Sequence, residues 1–144
     1  MCSKQNNLGA VMTCVMSPTR VLLVKEASRL HPFWKLPGGS IEAWDASVIA
    51  TAIREVREET HVQLLVGEIA ILSKAHHEGE VYYPHFCVAH ISEEKLDTRT
   101  EITYENDNHE QPMLVRAFLR EEARMMPDLL ERHRRAIQKA DCVE

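Results

Sequence analysis

The sequence predicts an α+β fold, and three observations support this. Apolar runs of strand type precede and follow one amphipathic segment of helix length, and a further helical pattern lies near the C-terminus. Elements in this order are typical of a sheet packed against helices. At 144 residues, the chain is expected to form one domain over residues 1–144.

Composition narrows the classes of function. The formal net charge is −5 and the sequence has no dense basic run, so no long nucleic acid is expected as a partner. The four cysteines form no CxxC pair, which is typical of reduced thiols rather than a zinc or redox site. The N-terminus lacks an apolar secretory segment and no run reaches the roughly 20 apolar residues of a membrane span. We therefore predict a cytoplasmic protein without membrane attachment.

The first elements are predicted to be a β-hairpin. Residues 9–16 and 20–25 are short apolar runs rich in Val and Leu, and Ser-Pro-Thr at 17–19 separates them as a turn. Residues 26–32 are polar and predict a loop. Residues 33–36 are expected to be extended and to lead into Pro37 and a glycine pair.

Residues 45–60 predict a helix because their apolar side chains recur on one side at helical spacing. Asp45 is the expected N-cap or first-turn acid. The later elements are predicted from the spacing of apolar residues and the positions of prolines. They are strands within 62–75 and 80–91 with an edge or bulge at Pro84, a polar loop at 92–111, a strand at 113–119, and helices at 120–125 and 128–140, the latter starting near Pro127.

Three glutamates lie close together on this predicted helix. Glu55, Glu58 and Glu59 stand at i, i+3 and i+4, so they lie within an arc of about 100° on one helical face. Carboxylates this close repel one another, and a hard cation such as Mg²⁺ or Mn²⁺ would offset that repulsion. The alternative is a solvated helix face with ion pairs to Arg54 and Arg57. The upstream run Leu-Pro-Gly-Gly at 36–39 favours the metal site, because glycines let backbone approach a phosphate or a metal.

Together these residues resemble the Nudix box, G-x5-E-x7-R-E-U-x-E-E-x-G-U, in which U is a bulky aliphatic residue. Gly39 matches the first glycine, Arg-Glu-Val-Arg-Glu-Glu at 54–59 matches R-E-U-x-E-E, and Val62 matches the last aliphatic position. The resemblance implies the α/β/α sandwich of that family, with a mixed sheet and the box helix.

The chain departs from the pattern at three points. Asp45 replaces the early glutamate, eight residues rather than seven separate it from Arg54, and His61 replaces the closing glycine. His61 is expected to end the helix with a positive φ, which His tolerates better than most non-glycine residues. Despite the extra residue, Asp45 is a candidate to hold Arg54, and Glu42 is the alternative.

The resemblance also implies an activity and its residues. The expected reaction is divalent-metal-dependent hydrolysis of a nucleoside diphosphate linked to another group X, with Mg²⁺ or Mn²⁺ as cofactor. The implied metal ligands are Glu55, Glu58, Glu59 and the Gly38 carbonyl. The implied catalytic residues are Glu58, Glu59, Arg54 as the residue that orients the glutamates, and a later acid, for which Glu110 is preferred over Glu105 and Glu101.

The substrate is less well defined by the sequence. We expect a small-molecule nucleotide from the triphosphate, nucleotide-sugar or ADP-ribose class, with Lys35, Tyr83 and His85 as candidate binding residues. Four histidines in neighbouring predicted strands fit no zinc pattern. A homodimer is compatible with the resemblance. The alternative function is a catalytically weak Nudix module that binds or senses a nucleotide, for which the inserted residue is the one favourable feature.

Overall fold

A computed structural model describes residues 9–26, 32–97, 102–104 and 113–142. The strands in this part of the chain are β1 (Ala10–Met16), β2 (Arg20–Glu26), β3 (Gly38–Ser40), β4 (Ile69–Ser73), β5 (His76–Glu78), β6 (Val81–Tyr83), β7 (His85–His90), β8 (Ile102–Tyr104) and β9 (Met113–Leu119). The helices are α1 (Val48–Thr60), α2 (Glu93–Asp97), α3 (Arg120–Met125) and α4 (Glu131–Asp141), and a 3-10 turn spans Val66–Glu68.

The main sheet is mixed, as predicted. Its strand order is β4-β7-β1-β2-β9-β8, and β3 pairs with the first half of β1. The β1–β7 pair is parallel and the other pairs are antiparallel, including the predicted β1–β2 hairpin. β5 and β6 form a separate hairpin. Within the described ranges, no helix is long and apolar enough to cross a membrane.

Helices pack on both faces of the sheet. Alternate residues of β1 point to opposite faces, so Val11 and Val15 pack with Ala52 and Val56 of α1. On the other face, Cys14 and Met16 belong to the cluster that contains the buried side of α4. Cys14 and Cys87 are both fully buried, and burial raises the pKa of each thiol, that of Cys87 to about 11. The molecule is therefore the predicted α+β sandwich.

The start of α1 corrects one prediction and its end confirms another. Ser47, not Asp45, is the N-cap, and its hydroxyl accepts a hydrogen bond from the Ala50 N–H. His61 ends the helix at φ 60° and ψ 17°, and its backbone N–H donates to the Arg57 carbonyl at 2.9 Å. Histidine therefore takes the left-handed position that usually favours glycine.

Three sequence predictions were wrong in detail. The strand expected over 80–91 is divided at Pro84, which lacks the N–H needed to continue the ladder, so that β6 pairs back on β5 while β7 enters the main sheet. The strand expected within 62–75 begins only at Ile69. Within the polar loop expected at 92–111, the structure has α2 and β8.

The last helix also begins later than predicted. Pro127 is not its start, since α4 begins at Glu131 and Leu130 is its N-cap. Pro127 and Asp128 instead form a turn, which leads into Leu129, and Leu129 forms a parallel bridge with Trp34. Residues 33–36 are extended as expected, because Lys35 also forms an antiparallel bridge with Val24 of β2.

His133, in the first turn of α4, is a buried polar side chain at the junction of these segments. It is 1% exposed, and its Nδ1 accepts a hydrogen bond from the Leu36 N–H at 2.9 Å. Burial, together with the smaller effects of the nearby charges of Arg132 and Lys35, lowers the pKa of His133 to about 3. The folded chain therefore holds this imidazole neutral, since protonation would place a proton on the accepting nitrogen.

The lowered pKa of His133 makes the stability of the fold depend on pH. An unfolded histidine binds a proton below a pKa of about 6.5, whereas folded His133 does not until about pH 3, so stability is lost as pH falls through that window. Between pH 7 and 5, we expect His133 to lower the free energy of unfolding by about 1–2 kcal/mol.

The measurement is urea denaturation of the parent chain and of His133→Asn at both pH values. The asparagine side chain can offer an acceptor oxygen near the same place without titrating. Its loss of stability on acidification should be smaller by that amount. Equal losses in the two proteins would contradict the assignment.

Candidate active site

The site is built on the open edge of β3. Thr13 N–H bonds the Pro37 carbonyl at 2.9 Å and Ile41 N–H bonds the Gly9 carbonyl at 2.9 Å, which sets the pairing of β3 with β1. In an antiparallel pair, alternate residues turn their polar backbone groups away from the partner strand. Gly38 and Ser40 are the residues that do so here. Their N–H and carbonyl groups therefore face away from β1.

Side chains of α1 meet that edge. The Gly38 N–H donates to Glu59 Oε1 at 2.9 Å, in a buried hydrogen bond. The Ser40 carbonyl accepts from the Arg54 guanidinium at 3.1 Å. By the same alternation, the Gly38 carbonyl lies on this side of the strand. The backbone of the glycine turn and the polar face of α1 thus form one unit.

Arg54 is the centre of the side-chain network. Its guanidinium donates to both carboxylate oxygens of Asp45, at 3.0 and 2.8 Å. Its Nη1 lies 3.0 Å from Glu55 Oε1 and 3.3 Å from Glu58 Oε1. Asp45, 4% exposed, also accepts from the Glu42 N–H at 2.8 Å. Asp45 therefore reaches Arg54 in spite of the extra residue, and Glu42 contributes its backbone rather than its carboxylate.

Two carboxylates beside Arg54 have pKa values shifted in opposite directions. The hydrogen bond from Arg54 lowers the pKa of Asp45 to about 2, and the same bond raises the pKa of Arg54 above its usual value. Glu55 behaves in the opposite way, because burial and the negative charges of Glu59 and Glu58 outweigh Arg54 and raise its pKa to about 7. The part of the site around Glu55 thus carries more negative charge than one guanidinium offsets.

Gly39 provides the space that Glu55 occupies. A Cβ atom at this position would lie 2.5–2.7 Å from the carboxylate atoms of Glu55. A Cβ at Gly38 would instead collide with backbone of β1, namely the Val11 carbonyl oxygen and Met12 Cα. Two neighbouring glycines are therefore required for different reasons, one for the carboxylate and one for the strand pairing.

The residues fit a hard cation by their chemistry. Every candidate donor is an oxygen, from Glu55, Glu58, Glu59 or the Gly38 carbonyl, which is the set that Mg²⁺ and Mn²⁺ prefer. In the described ranges, no three His, Cys, Asp or Glu side chains already converge as a metal cluster. Glu59 instead holds the Gly38 N–H, and Glu55 and Glu58 contact Arg54. Holding a cation would require these carboxylates to turn toward a common point.

The other predicted site residues have contacts elsewhere. The Lys35 backbone pairs with Val24, the Tyr83 ring stacks on His76 with centroids 4.9 Å apart, and His85 Nδ1 accepts from the Ala75 N–H at 3.1 Å. Tyr83 and its neighbour Tyr82 are both half-buried. The predictions for Glu110, Glu105 and Glu101 lie outside the described residues.

Sequence reasoning missed two contributors to the network. The Ser40 carbonyl carries no sequence signal, because any residue supplies that group. The Thr51 hydroxyl donates to Asp45 Oδ2 at 2.9 Å and is fully buried. Its signal was a polar residue one helical turn before Glu55, on the edge of the apolar face.

Both the sequence and the fold of this chain are similar to known proteins. A model of the NUDIX domain family matches residues 7–140. A search of curated proteins found no match. Among solved structures, a MutT NUDIX hydrolase from Burkholderia pseudomallei has a TM-score of 0.63 at 18% identity, covering 90% of this chain and 95% of that one.

Two further structures give similar values. An ADP compounds hydrolase has a TM-score of 0.66 at 18% identity and covers 92% of this chain and 70% of that one. A NUDIX hydrolase from Nitrosomonas europaea has a TM-score of 0.66 at 17% identity and covers 92% of this chain and 87% of that one. At these identities the structural likeness establishes the fold alone. Because the family match spans nearly all of the sequence, the chain belongs to the Nudix domain family.

Proposed function

We propose that the chain is a divalent-metal-dependent pyrophosphohydrolase that cleaves a nucleoside diphosphate linked to another group X. The observation that carries the proposal is the Arg54 network, which gathers Asp45, Glu55 and Glu58 beside the glycine turn that Glu59 holds. A helix face used only for solubility would not need its carboxylates packed against buried backbone.

The bound cation, Mg²⁺ or Mn²⁺, would neutralise charge on the diphosphate and lower the pKa of an attacking water. Glu55, Glu58 and Glu59 with the Gly38 carbonyl are the groups that would hold it. Arg54 keeps the glutamate side chains in place through ion pairs at 3.0 and 3.3 Å. Water then adds to phosphorus, the P–O bond to the leaving phosphate breaks, and two phosphorylated products form.

One carboxylate must accept the proton of the attacking water. Glu58 and Glu59 are candidates on α1, and Glu110 is the candidate from the later part of the chain. Glu58 is the most exposed of the three α1 glutamates, with 21% of its side chain accessible against 9% for Glu55, so it is the better placed to meet a water. Lys35, Tyr83 and His85 remain proposed contacts for the rest of the substrate.

The substrate class proposed is a small nucleotide: a nucleoside triphosphate, a nucleotide sugar or ADP-ribose. The structures similar to this chain include proteins described as MutT hydrolases and as an ADP compounds hydrolase, which supports testing both triphosphates and ADP-linked compounds.

The test is release of phosphate, pyrophosphate or a nucleoside monophosphate from such a panel with Mg²⁺ or Mn²⁺, using Glu58→Gln as the control. Turnover that the variant lacks supports the proposal. If no compound is hydrolysed but one raises the melting temperature, the chain is a nucleotide-binding module instead.

The glycine turn gives a further prediction. In Gly39→Ala, the added methyl must displace the Glu55 carboxylate, so kcat should fall by about tenfold or more. The side chain of Glu55 can rotate, so the free energy of unfolding should fall by no more than about 1–3 kcal/mol. Steady-state kinetics and thermal melting measure the two effects.

Gly38→Ala is the matched comparison. Its methyl meets backbone rather than a side-chain carboxylate, so its main effect should be on stability. Full activity of Gly39→Ala would show that the position of Glu55 does not matter for turnover.

A further inference from the structure

The extended residues before the glycine turn lie between two segments of backbone. On one side, Val24 of β2 and Lys35 exchange two hydrogen bonds of 2.8 Å. On the other side, the Trp34 N–H bonds the Asp128 carbonyl at 2.8 Å, and the Leu130 N–H bonds the Trp34 carbonyl at 3.3 Å. Trp34 thus begins a short parallel ladder with the residues that precede α4.

The next hydrogen bond of this ladder, from the Leu36 N–H, lacks its backbone acceptor. In a parallel pair, the Leu36 N–H would bond the Leu130 carbonyl. That carbonyl already accepts from the N–H groups of His133 and Arg134, both at 3.0 Å, because α4 starts at the following residue. The Leu36 N–H would therefore be left without an acceptor in a fully buried position.

His133 supplies the missing acceptor. Its Nδ1 lies 2.9 Å from the Leu36 N atom, and its ring also packs edge-on against Phe86, with centroids 5.8 Å apart. A side chain of the helix thus continues the hydrogen-bond ladder past the point where the strand backbone turns into a helix. Few side chains offer a buried acceptor of this reach without a charge.

Leu36 lies only two residues before Gly38, which belongs to the proposed catalytic site. After Leu36, the Pro37 carbonyl is held by the Thr13 N–H at 2.9 Å, and the Gly38 N–H is held by Glu59 at 2.9 Å. Three successive residues are therefore fixed by three different elements: α4, β1 and α1. If Leu36 shifts, Gly38 shifts with it, and so does the hydrogen bond between the Gly38 N–H and Glu59.

We infer that His133 is a positioning residue for the glycine turn, acting through the Leu36 N–H to place Gly38 against Glu59. This inference rests on the proposed function for its effect on catalysis, whereas its effect on the turn itself can be observed without any substrate. His133 touches neither the proposed metal ligands nor the reacting atoms in this structure.

The experiment compares three variants of the full chain. His133→Leu removes the acceptor and keeps an apolar side chain. His133→Asn keeps an acceptor oxygen and serves as the conservative rescue. Ile137→Val shortens a fully buried side chain one turn further along α4, at a cost of about 0.5–1.5 kcal/mol, and controls for general loss of helix packing.

Two quantities are measured at a temperature where all variants are folded. The first is kcat and KM on the substrate found for the parent chain, together with the Mg²⁺ concentration for half-maximal rate. The second is hydrogen exchange of the Gly38 amide, followed by NMR. We expect His133→Leu to lower kcat by about tenfold or more and to reduce protection of the Gly38 amide by a similar factor. His133→Asn and Ile137→Val should leave both near the parent values.

The outcomes separate this inference from the proposed function. If the parent chain hydrolyses nothing, the proposed function fails, and the Gly38 amide alone decides whether His133 positions the turn. Unchanged protection of Gly38 in His133→Leu overturns the inference in either case. A fall in kcat that Ile137→Val matches also overturns it, because the loss is then one of general stability.

Discussion

Replacing Glu58 with glutamine is expected to lower kcat by about 10²–10⁴-fold while changing the melting temperature little. Glutamine has the same shape but binds a divalent cation poorly and cannot accept a proton from water at neutral pH. Glu58 lies on the polar side of α1, where Arg54 Nη1 contacts its two oxygens at 3.3 and 3.4 Å. The fold does not depend on that contact alone, because Asp45 and Ser40 also hold Arg54.

The matched control is Glu94→Gln, the same chemical change at an exposed acid of α2. Its kcat should equal that of the parent chain. The measurement is steady-state hydrolysis of the best substrate across a range of Mg²⁺ concentrations, with far-UV circular dichroism to confirm folding. Near-normal turnover of Glu58→Gln would remove Glu58 from both the metal site and the set of candidate bases.

The largest loss of stability is expected from Arg54→Met. Methionine can fill much of the same space, but it leaves Asp45 nearly buried without its cation and removes the positive charge beside Glu55 and Glu58. Removing one partner of this partly buried, doubly hydrogen-bonded ion pair leaves an unpaired charge and should cost about 2–4 kcal/mol, so the midpoint of urea denaturation should fall.

Two comparisons test this cause. Arg57→Met changes an exposed arginine of the same helix and should alter the free energy of unfolding by no more than about 0.5 kcal/mol. Adding Asp45→Asn to Arg54→Met should restore part of the loss, because the buried charge that lacked a partner is then gone. If the double variant is as unstable as the sum of the single variants, Asp45 and Arg54 are not coupled.

Much of the fold followed from local pattern. The strands β1, β2 and β9 can be recognised from their alternating or continuous apolar residues. The helix α1 can be recognised from apolar residues at helical spacing. His61 was also predictable, because the position after a helix tolerates only a few residues at positive φ.

What could not be predicted depends on contacts between distant segments. Asp45 and Ser47 both suit an N-cap, and the sequence does not reveal that Asp45 is engaged by Arg54. Residues just after Pro127 have helical composition, yet Leu129 is extended because Trp34 offers it a backbone partner. Local propensity is a weak guide wherever such a partner is available.

The candidate site divides in the same way. Glu55, Glu58 and Glu59 are recognised by spacing within one helix. His133 is not, because its partner Leu36 lies 97 residues earlier in the chain. The available signal was modest: His133 shares the apolar face of α4 with Ala136, Ile137 and Ala140, where a polar side chain must find a buried partner.

The late position of His133 has a consequence for how the protein is made. Ribosomes release the glycine turn and α1 first, and at about 5–20 residues per second His133 follows Leu36 by roughly 5–20 seconds. During that interval the Leu36 amide lacks the acceptor that His133 provides. A nascent chain, or one cut by a protease between α3 and α4, would therefore keep every α1 glutamate and still lack the bond that fixes the turn. Completion of the site therefore waits until α4 has been synthesised.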